Sequence, residues 1–227
     1  MKEIGWKERL LDTFFPQYNT CHICGAGIPS GLCSILCERC LDRLNDCRIH
    51  PRETAQGGYQ QLDMTFSAYW HDDAAREMVY LLKYQSDAFA ADLLGDGMSH
   101  ALMTVMERYG RPDCLVPVPL HPRRQAERGY NQSWLLAKIV EKRLGIPVAG
   151  EILERTVYIA SQTTRSREER LASMQGIFAL KDQSILAGKH VLLIDDVLTT
   201  GATAMSCAGV LREGGAESVM LLTANRA

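Results

Sequence analysis

The sequence lacks the features that would assign it to a membrane, repetitive or strongly charged class. Its formal net charge is only −2, so any contact with nucleic acid must be local. No apolar stretch is long enough to span a bilayer, and charged residues interrupt the apolar ones at the amino terminus, unlike in a signal peptide. We find no internal repeat and no low-complexity segment. These absences predict a cytoplasmic protein that does not insert into membranes.

What the sequence contains is a sizeable apolar fraction, 46% of 227 residues, which is enough for a core. We divide the chain into three parts. Residues 1–50 hold an amphipathic amino-terminal segment and six of the eight cysteines, residues 51–62 form a linker rich in Pro, Gly and Gln, and residues 63–227 form the larger domain. Strands alternate with helices in the larger domain, which predicts an α/β fold with a parallel sheet.

The elements of the larger domain follow from hydrophobic periodicity and from helix-ending residues. The predicted strands are residues 64–70, 114–118, 152–153, 191–194 and 218–223. The predicted helices are residues 74–83, 88–109, 132–144 after a cap at Asn131, and 204–212. In the first strand apolar and polar residues alternate, which predicts one buried face.

The cysteine spacing predicts a metal site. Two CxxC pairs are separated by twelve residues: Cys21, Cys24, Cys37 and Cys40. Four thiolates at this spacing can close on one tetrahedral Zn²⁺ and leave no open position for a catalytic water, so we predict a structural zinc ribbon. An iron–sulfur cluster or a redox dithiol is the alternative. Cys33 and Cys47 stand close to the pairs, and either could replace one of the four ligands.

Residues 191–204, VLLIDDVLTTGATA, carry the strongest functional signal. The continuous apolar run 191–194 is typical of a strand buried on both faces of a parallel sheet. Asp195 and Asp196 follow at its carboxyl end, where open α/β sheets bind their ligands. Ionised carboxylates accept hydrogen bonds from sugar hydroxyls. The alternative is a pair of acids that caps a turn.

The residues after the acids form a helix start that suits a phosphate. The first N–H groups of a helix have no partner within the helix, and the helix dipole favours an anion there. The threonine hydroxyls of residues 199–203 add further donors, and Gly201 permits close approach of a ligand. An ordinary helix start is the alternative.

Two further segments are rich in arginine. Residues 120–131 follow the strand 114–118, so their positive charge comes to the same sheet edge as the two acids. Arginine binds phosphate oxygens bidentately, although a solvated basic turn is the alternative. Residues 162–178 begin with polar side chains and lie between two strands, which is typical of a lid that excludes water.

Two of these segments resemble known signatures. IDDVLTTGAT, residues 194–203, resembles the phosphoribosyl pyrophosphate (PRPP) signature of type I phosphoribosyltransferases. VPVPLHPRRQAERGYNQS, residues 116–133, is similar to the signature of the ComF/GntX group of bacterial proteins, which is associated with competence and the use of external DNA. Together with the cysteine pattern, the resemblance covers nearly the whole chain. It implies a parallel-sheet, type I phosphoribosyltransferase-like domain preceded by a small zinc-ribbon domain.

The resemblance also implies roles for individual residues. Asp195 and Asp196 would hold the ribose 2′- and 3′-hydroxyls, and residues 199–203 the 5′-phosphate. The whole PRPP-binding segment is Asp195, Asp196, Val197, Leu198, Thr199, Thr200, Gly201, Ala202 and Thr203. The pyrophosphate loop contributes Leu120, Arg123, Arg124, Arg128 and Asn131. The catalytic residues would be the two acids together with Arg165 and Arg170 of the lid.

The resemblance implies PRPP, or a related phosphorylated ribose, as the ligand, with Mg²⁺ bridging its pyrophosphate and ribose hydroxyls. The expected role is in DNA uptake or utilisation, or in nucleotide salvage. Transfer of the ribosyl group stays undecided, and Lys83 and Tyr84 are candidates for the wall that faces an acceptor. The alternative is a non-enzymatic module that senses PRPP or binds single-stranded DNA, with DNA-uptake proteins as partners.

Overall fold

The computed structural model describes residues 20–28, 35–50, 59–85, 87–150, 152–157, 176–181 and 186–227. The chain divides into two compact units, Met1–Asp46 and Cys47–Ala227. The predicted amino-terminal amphipathic segment and most of the linker lie outside the described residues. In the smaller unit, Thr20 forms an antiparallel bridge with Gly27, and helix α1 (Glu38–Asp46) begins within the second cysteine pair.

The larger unit is an α/β structure. In chain order its strands are β1 (Met64–Trp70), β2 (Cys114–Pro117), β3 (Leu153–Arg155), β4 (Phe178–Leu180), β5 (His190–Leu198) and β6 (Ser218–Arg226). Its helices are α2 (Asp73–Tyr84), α3 (Ala88–Tyr109), α4 (Pro122–Arg128), α5 (Gln132–Leu144) and α6 (Ala202–Glu213). Four strands form one sheet in the order β1-β6-β5-β2, and all neighbours are parallel. The predicted parallel sheet is therefore confirmed.

The sheet is covered on both faces. Val191 and Leu193 of β5 pack with Cys207 and Leu211 of α6. Successive side chains of a strand point to opposite faces, so the buried residues between and beyond them face the other side, where α5 contacts β2 and β5. Because both faces are covered, the carboxyl ends of the strands are where the sheet can receive a ligand.

The prediction that β1 has only one buried face is wrong, because residues on both of its faces are buried. Thr65 and Ser67 are buried along with Phe66 and Tyr69 of the same strand. The polar side chains are tolerated inside because they find partners: the Ser67 hydroxyl lies 2.7 Å from that of Thr223 in β6. Alternation in a sequence therefore marks a half-exposed strand only when the polar residues have no partner in the core.

Two further boundaries differ from the prediction. β5 extends to Leu198, so Asp195 and Asp196 lie inside the ladder, where Asp195 pairs with Thr223. α6 begins at Ala202, two residues before the predicted start. The short strand predicted at residues 152–153 exists as β3, but it pairs antiparallel with β4 and forms a separate two-stranded sheet. None of the helices in the described ranges has the length and apolar character of a membrane span.

Candidate ligand site and four-cysteine cluster

A cavity of about 380 Å³ lies at the carboxyl ends of β2 and β5. Its floor carries the acidic pair, and its walls come from segments far apart in the chain. From β5 and the loop after it come Asp195, Asp196, Val197, Thr199 and Thr203. From elsewhere come Lys83, Leu120, Arg124, Arg128, Ser133 and Arg155. The cavity therefore holds acids, hydroxyls and guanidinium groups together.

Asp195 is held by the start of α5. The Ser133 hydroxyl donates a hydrogen bond of 2.9 Å to Asp195 Oδ1, and the backbone N–H of Asp196 donates a second, also of 2.9 Å. Asn131 caps the same helix, because its Oδ1 accepts from the Ser133 N–H at 3.0 Å. The Asn131 amide also donates to the Val118 carbonyl at 3.0 Å. Asn131 thus joins the end of β2 to the helix that orients Asp195.

Asp196 is only 5% exposed, and its Oδ2 lies 3.0 Å from Lys83 Nζ. Burial raises the pKa of Asp195 to about 7, and the adjacent Asp196 charge raises it further. The hydrogen bonds from the Asp196 N–H and Ser133 and the positive charge of Lys83 oppose this rise. Asp195 can therefore gain or lose a proton near neutral pH. This makes it responsive to a charged or hydroxyl-bearing ligand.

The loop after β5 has a conformation that requires glycine. Gly201 has φ of +75°, in the left-handed region. A Cβ at this position would also meet the Tyr59 ring at 2.3 Å from Cε1. The structure therefore gives Gly201 two constraints within the protein, whereas the sequence suggested only close approach of a ligand.

The other residues from the end of β5 to the first turn of α6 divide into two groups. Val197, Thr199 and Thr203 line the cavity. Leu198 and Ala202 are buried and anchor the two ends of the loop; the Leu198 carbonyl accepts a hydrogen bond of 2.9 Å from the Ala227 N–H. The Thr200 hydroxyl accepts from the Ala202 N–H at 3.4 Å, across the start of α6.

The arginine-rich segment 120–131 contains the short helix α4. Arg124 and Arg128 line the cavity, and Arg128 Nη1 donates to Gln132 Oε1 at 2.6 Å. Arg123 is more exposed, and its Nε donates to Glu127 Oε1 at 3.1 Å. The structure therefore separates the three arginines of the predicted pyrophosphate loop. Arg165 and Arg170 of the predicted lid lie outside the described residues.

Arg155 was missed by the sequence analysis. It lies at the end of β3, and its guanidinium sits 5.6 Å from the Phe178 ring. Burial lowers the pKa of Arg155, and the nearby Arg124 lowers it further. Its Nε is buried, and no hydrogen bond to it is recorded within the described part of the chain. No motif surrounds Arg155, so no sequence signal could have placed it in the cavity.

His71 is a second missed residue, and it follows directly after β1. The Asn225 amide nitrogen lies 3.1 Å from His71 Nδ1 and donates to the Ala75 carbonyl at 2.8 Å. Burial and the charges of Lys83 and Arg76 lower the pKa of His71. His71 therefore borders the cavity as a neutral ring near neutral pH.

A neighbouring cavity of about 490 Å³ shares Leu120 and Arg155 with the first. It is larger, but neither acid of β5 lines it. Trp134 and Lys181 belong to its wall instead. The smaller of these two cavities is therefore the candidate ligand site, because it joins the acids to the threonine loop and the larger one does not.

The four predicted metal ligands come together in the smaller unit. The sulfur atoms of Cys21, Cys24, Cys37 and Cys40 all lie within 4.8 Å of one another. Tetrahedral zinc–thiolate coordination places sulfurs about 3.8 Å apart, and Cys24 Sγ lies 3.7 Å from Cys37 Sγ. The donor set therefore fits a metal such as zinc.

The backbone around the cluster favours thiolate at one ligand. Burial would raise the pKa of Cys21, but backbone N–H groups of neighbouring residues outweigh it and lower that pKa to about 6. Burial and the surrounding sulfurs raise the pKa of Cys40 to about 12. Cys47 belongs to the larger unit, where its thiol donates to the Asp72 carbonyl at 3.5 Å, and Cys33 lies outside the described residues.

Comparison with known proteins relates part of the larger unit to a known family. Residues 131–225 match the phosphoribosyl transferase domain family, and this stretch contains the acidic pair and the threonine loop. The part of the parallel sheet formed by β5 and β6 is thus similar to a phosphoribosyl transferase domain. Competence protein F of Haemophilus influenzae is 33% identical over 111 residues, which cover 48% of each chain. The alignment therefore spans about half the length of that relative.

Two other relatives align over longer stretches. Competence protein ComFC of Bacillus subtilis is 33% identical over 152 residues, 66% of this chain and 58% of that protein. DNA utilization protein YhgH of Salmonella typhi is 29% identical over 197 residues, 86% of this chain and 79% of that protein.

Proposed function

We propose that this chain is a member of the ComF family of bacterial competence and DNA-utilisation proteins, and that it binds PRPP or a related phosphorylated ribose in the 380 Å³ cavity. One observation carries the proposal: a single cavity joins a partly buried acidic pair, a threonine-lined helix start and three arginines. These are the complements of a sugar diol, a terminal phosphate and a pyrophosphate. The proposed setting is DNA uptake or utilisation, or nucleotide salvage.

The ribose would lie over β5. Asp195 and Asp196 accept hydrogen bonds from its 2′- and 3′-hydroxyls, and charge-assisted bonds of this kind contribute about 1.5–3 kcal/mol each. The 5′-phosphate would lie at the start of α6, where the Thr199 and Thr203 side chains line the cavity and the first N–H groups of the helix are donors.

The pyrophosphate would lie against the wall that carries the arginines. Arg124, Arg128 and Arg155 line that wall, and a guanidinium can bind two phosphate oxygens at once. Arg128 is held by Gln132 and stacks 5.7 Å from the Tyr84 ring, so its orientation is set before any ligand arrives. The lid residues Arg165 and Arg170 are proposed to complete this wall.

Mg²⁺ is part of the proposal because PRPP carries a pyrophosphate. When bound, Mg²⁺ supplies positive charge that offsets the charge of the pyrophosphate, and it usually keeps several waters and leans on substrate phosphates. Asp196 is already paired with Lys83 at 3.0 Å. We therefore propose that PRPP and bound waters supply the ligands of Mg²⁺, and that the role of the protein is to orient the ribose.

The four-cysteine cluster is proposed to hold a structural Zn²⁺ in residues 1–50, joined to the larger domain by the linker 51–62. Four thiolates fill a tetrahedral sphere, so the ion would have no position for a substrate.

Calorimetric titration of the full chain with PRPP and Mg²⁺ tests the ligand. We expect the Asp195→Asn/Asp196→Asn double variant to lose at least about a hundredfold in affinity, because two charge-assisted bonds are weakened. Asp113→Asn is the matched control, since Asp113 accepts from the His190 N–H at the opposite end of β5. Equal affinity of the wild type and the double variant would refute the ribose assignment.

Ribosyl transfer is proposed as the activity if an acceptor enters beside the ribose. In that case the protein mainly positions PRPP and screens charge while the bond at C1 breaks through an oxocarbenium-like state. Lys83 and Tyr84 were candidates for the acceptor wall, and both line the cavity. Release of pyrophosphate in the presence of candidate bases measures transfer. Binding without release would indicate a PRPP sensor.

Single-stranded DNA is the second candidate ligand, favoured by one surface feature. Tyr84 is 67% exposed, its ring lies 5.0 Å from that of Tyr80, and Arg128 stacks on it. Aromatic rings beside arginines form a platform on which bases stack. If DNA binds there, Arg124→Ala/Arg128→Ala should flatten the salt dependence of affinity. An unchanged slope would exclude DNA from this edge.

A further inference from the structure

Lys83 lies in the last turn of α2 and forms the most buried ion pair recorded among the described residues. The side chains of Lys83 and Asp196 are 25% and 7% exposed, whereas those of the Arg123–Glu127 pair are 66% and 57% exposed. Charges that are partly removed from water attract each other more strongly and are screened less by salt. The attraction between Lys83 and Asp196 should therefore be stronger and less sensitive to salt than that of the ion pairs on the surface.

The two acids differ in their partners. Oδ1 of Asp195 accepts hydrogen bonds from the Ser133 hydroxyl and the Asp196 N–H. Oδ2 of Asp196 is buried, and within the described part of the chain no hydrogen bond to it is recorded. Its recorded partner is the Lys83 ammonium at 3.0 Å. Lys83 thus supplies the positive charge beside Asp196, the acid of the pair for which fewer hydrogen-bond donors are recorded.

Two adjacent carboxylates, of which Asp196 is buried and Asp195 partly buried, must be compensated by a proton or by a cation. We infer that Lys83 is the resident cation of this acidic pair. It is a positioning residue that holds the Asp196 carboxylate in place to accept a hydrogen bond from a ribose hydroxyl, and it occupies the position beside Asp196 Oδ2 at which a divalent ion would bind. The role toward the ribose rests on the proposed function, whereas the exclusion of divalent ions does not.

Two consequences follow from a resident ammonium. The protein without ligand should have no divalent-ion site at the acids. Ribose 5-phosphate, which lacks the pyrophosphate, should bind equally well with and without a divalent ion. A metal that accompanies PRPP is then brought by the pyrophosphate.

Mn²⁺ titration of the full chain, followed by electron paramagnetic resonance at pH 8, tests the first consequence. Lys83→Met should acquire one Mn²⁺ site that the wild type lacks, and adding Asp196→Asn should remove it. Lys83→Arg keeps the charge and should behave as the wild type. Lys189→Met is the matched control, because Lys189 is 49% exposed and lies 4.0 Å from Asp113. Identical Mn²⁺ binding by Lys83→Met and the wild type would overturn the inference.

Calorimetry with ribose 5-phosphate tests the second consequence. The wild type should give the same Kd with and without Mn²⁺. Lys83→Met should bind about tenfold more weakly without the ion, the expected loss of one charge-assisted contact, and should recover when Mn²⁺ is added. A wild type that binds the sugar only with metal would overturn the inference. If no variant binds the sugar, the proposed function fails, and the Mn²⁺ titration still decides the role of Lys83.

Discussion

The cysteine cluster and the ligand cavity are assembled in opposite ways. The cluster uses four residues of one type within twenty positions of the chain, Cys21 to Cys40. The cavity combines acids, hydroxyls and guanidinium groups, and its lining residues lie between His71 and Thr203 in the chain. A local cluster depends on spacing and needs few other contacts, whereas a dispersed cavity exists only when the sheet has formed. The two sites should therefore respond differently to the same kind of damage.

The largest effect is expected when the local site loses its ion. A structural zinc contributes about 10–16 kcal/mol to the folding of small domains. Cys21→Ser or chelation should therefore unfold the smaller unit and leave PRPP affinity in the larger unit largely unchanged. Metal analysis and hydrogen exchange of residues 20–46 measure this.

Cys47→Ser is the matched control for the zinc prediction, because Cys47 is buried but lies outside the cluster. That variant should keep its zinc. Wild-type protein without stoichiometric zinc would contradict the assignment of the cluster.

A smaller but still large effect is expected when the loop of the dispersed site is distorted. Gly201→Ala forces a non-glycine residue into φ of +75°, which costs about 1–3 kcal/mol, and its Cβ meets the Tyr59 ring. Both the unfolding free energy and the affinity for PRPP should fall. Adding Tyr59→Ala should restore the steric part only.

Gly209→Ala in the same helix α6 is the matched control, because a Cβ there meets nothing within 4 Å. It should leave the unfolding free energy unchanged or raise it slightly. Equal unfolding free energies for Gly201→Ala and Gly209→Ala would show that the loop is not held in the conformation described.

A third prediction separates the arginines of the cavity. Arg155→Met should weaken PRPP binding about tenfold, or about 1.4 kcal/mol, and leave binding of ribose 5-phosphate unchanged, because only PRPP carries a pyrophosphate. Arg123→Met should change neither affinity, since Arg123 pairs with Glu127 and does not line the cavity. Calorimetry with PRPP and with ribose 5-phosphate measures these affinities. If Arg123→Met weakened PRPP binding and Arg155→Met did not, the pyrophosphate would have to be assigned to Arg123 instead of Arg155.

The smallest expected effect is a pH dependence of stability. Because the pKa of Asp195 is raised to about 7 from an ordinary value of 3.8, the folded protein retains a proton that the unfolded chain has released between these values. The free energy of unfolding should therefore fall as the pH rises through this window. Asp195→Asn should abolish this fall in the free energy of unfolding, because an asparagine does not titrate.

Thermal unfolding at pH 5.5 and pH 8 measures the effect. Relative to the wild type, Asp195→Asn should gain about 2–4 °C in Tm on going to the higher pH, which corresponds to about 1 kcal/mol. Asp113→Asn should show no such gain. If the difference in Tm between Asp195→Asn and the wild type is the same at both pH values, Asp195 does not titrate in this range.

Much of the fold was predictable because its signals are local. The cap at Asn131, the stop at Gly145 and the buried run before Asp195 each act on neighbouring residues, and the helices and strands that they predict are present. The β1 prediction failed for the opposite reason. Ser67 is buried because Thr223, more than 150 residues away, offers it a partner.

In the candidate site, too, features encoded by neighbouring residues were predictable, and features that depend on distant segments were not. The acids and the threonine loop lie in one motif, so the sequence brought them together and the structure places them at one cavity. Arg155 and His71 have no motif, and their place in the wall depends on how β3 and β1 lie in the fold. The separation of Arg123 from Arg124 and Arg128 arises because α4 is a helix, which turns consecutive side chains to different sides.

The sequence by itself determined what is encoded at short range: the cysteine pairs, the acidic pair with the threonine-rich helix start that follows it, and the order of strands and helices. Only the tertiary structure decided which charges face one another. Lys83 meets Asp196 and Ser133 meets Asp195 because α2 and α5 come to the carboxyl edge of the sheet. Electrostatic partners depend on distances of a few ångströms and on burial, and neither is written in the spacing of residues along the chain.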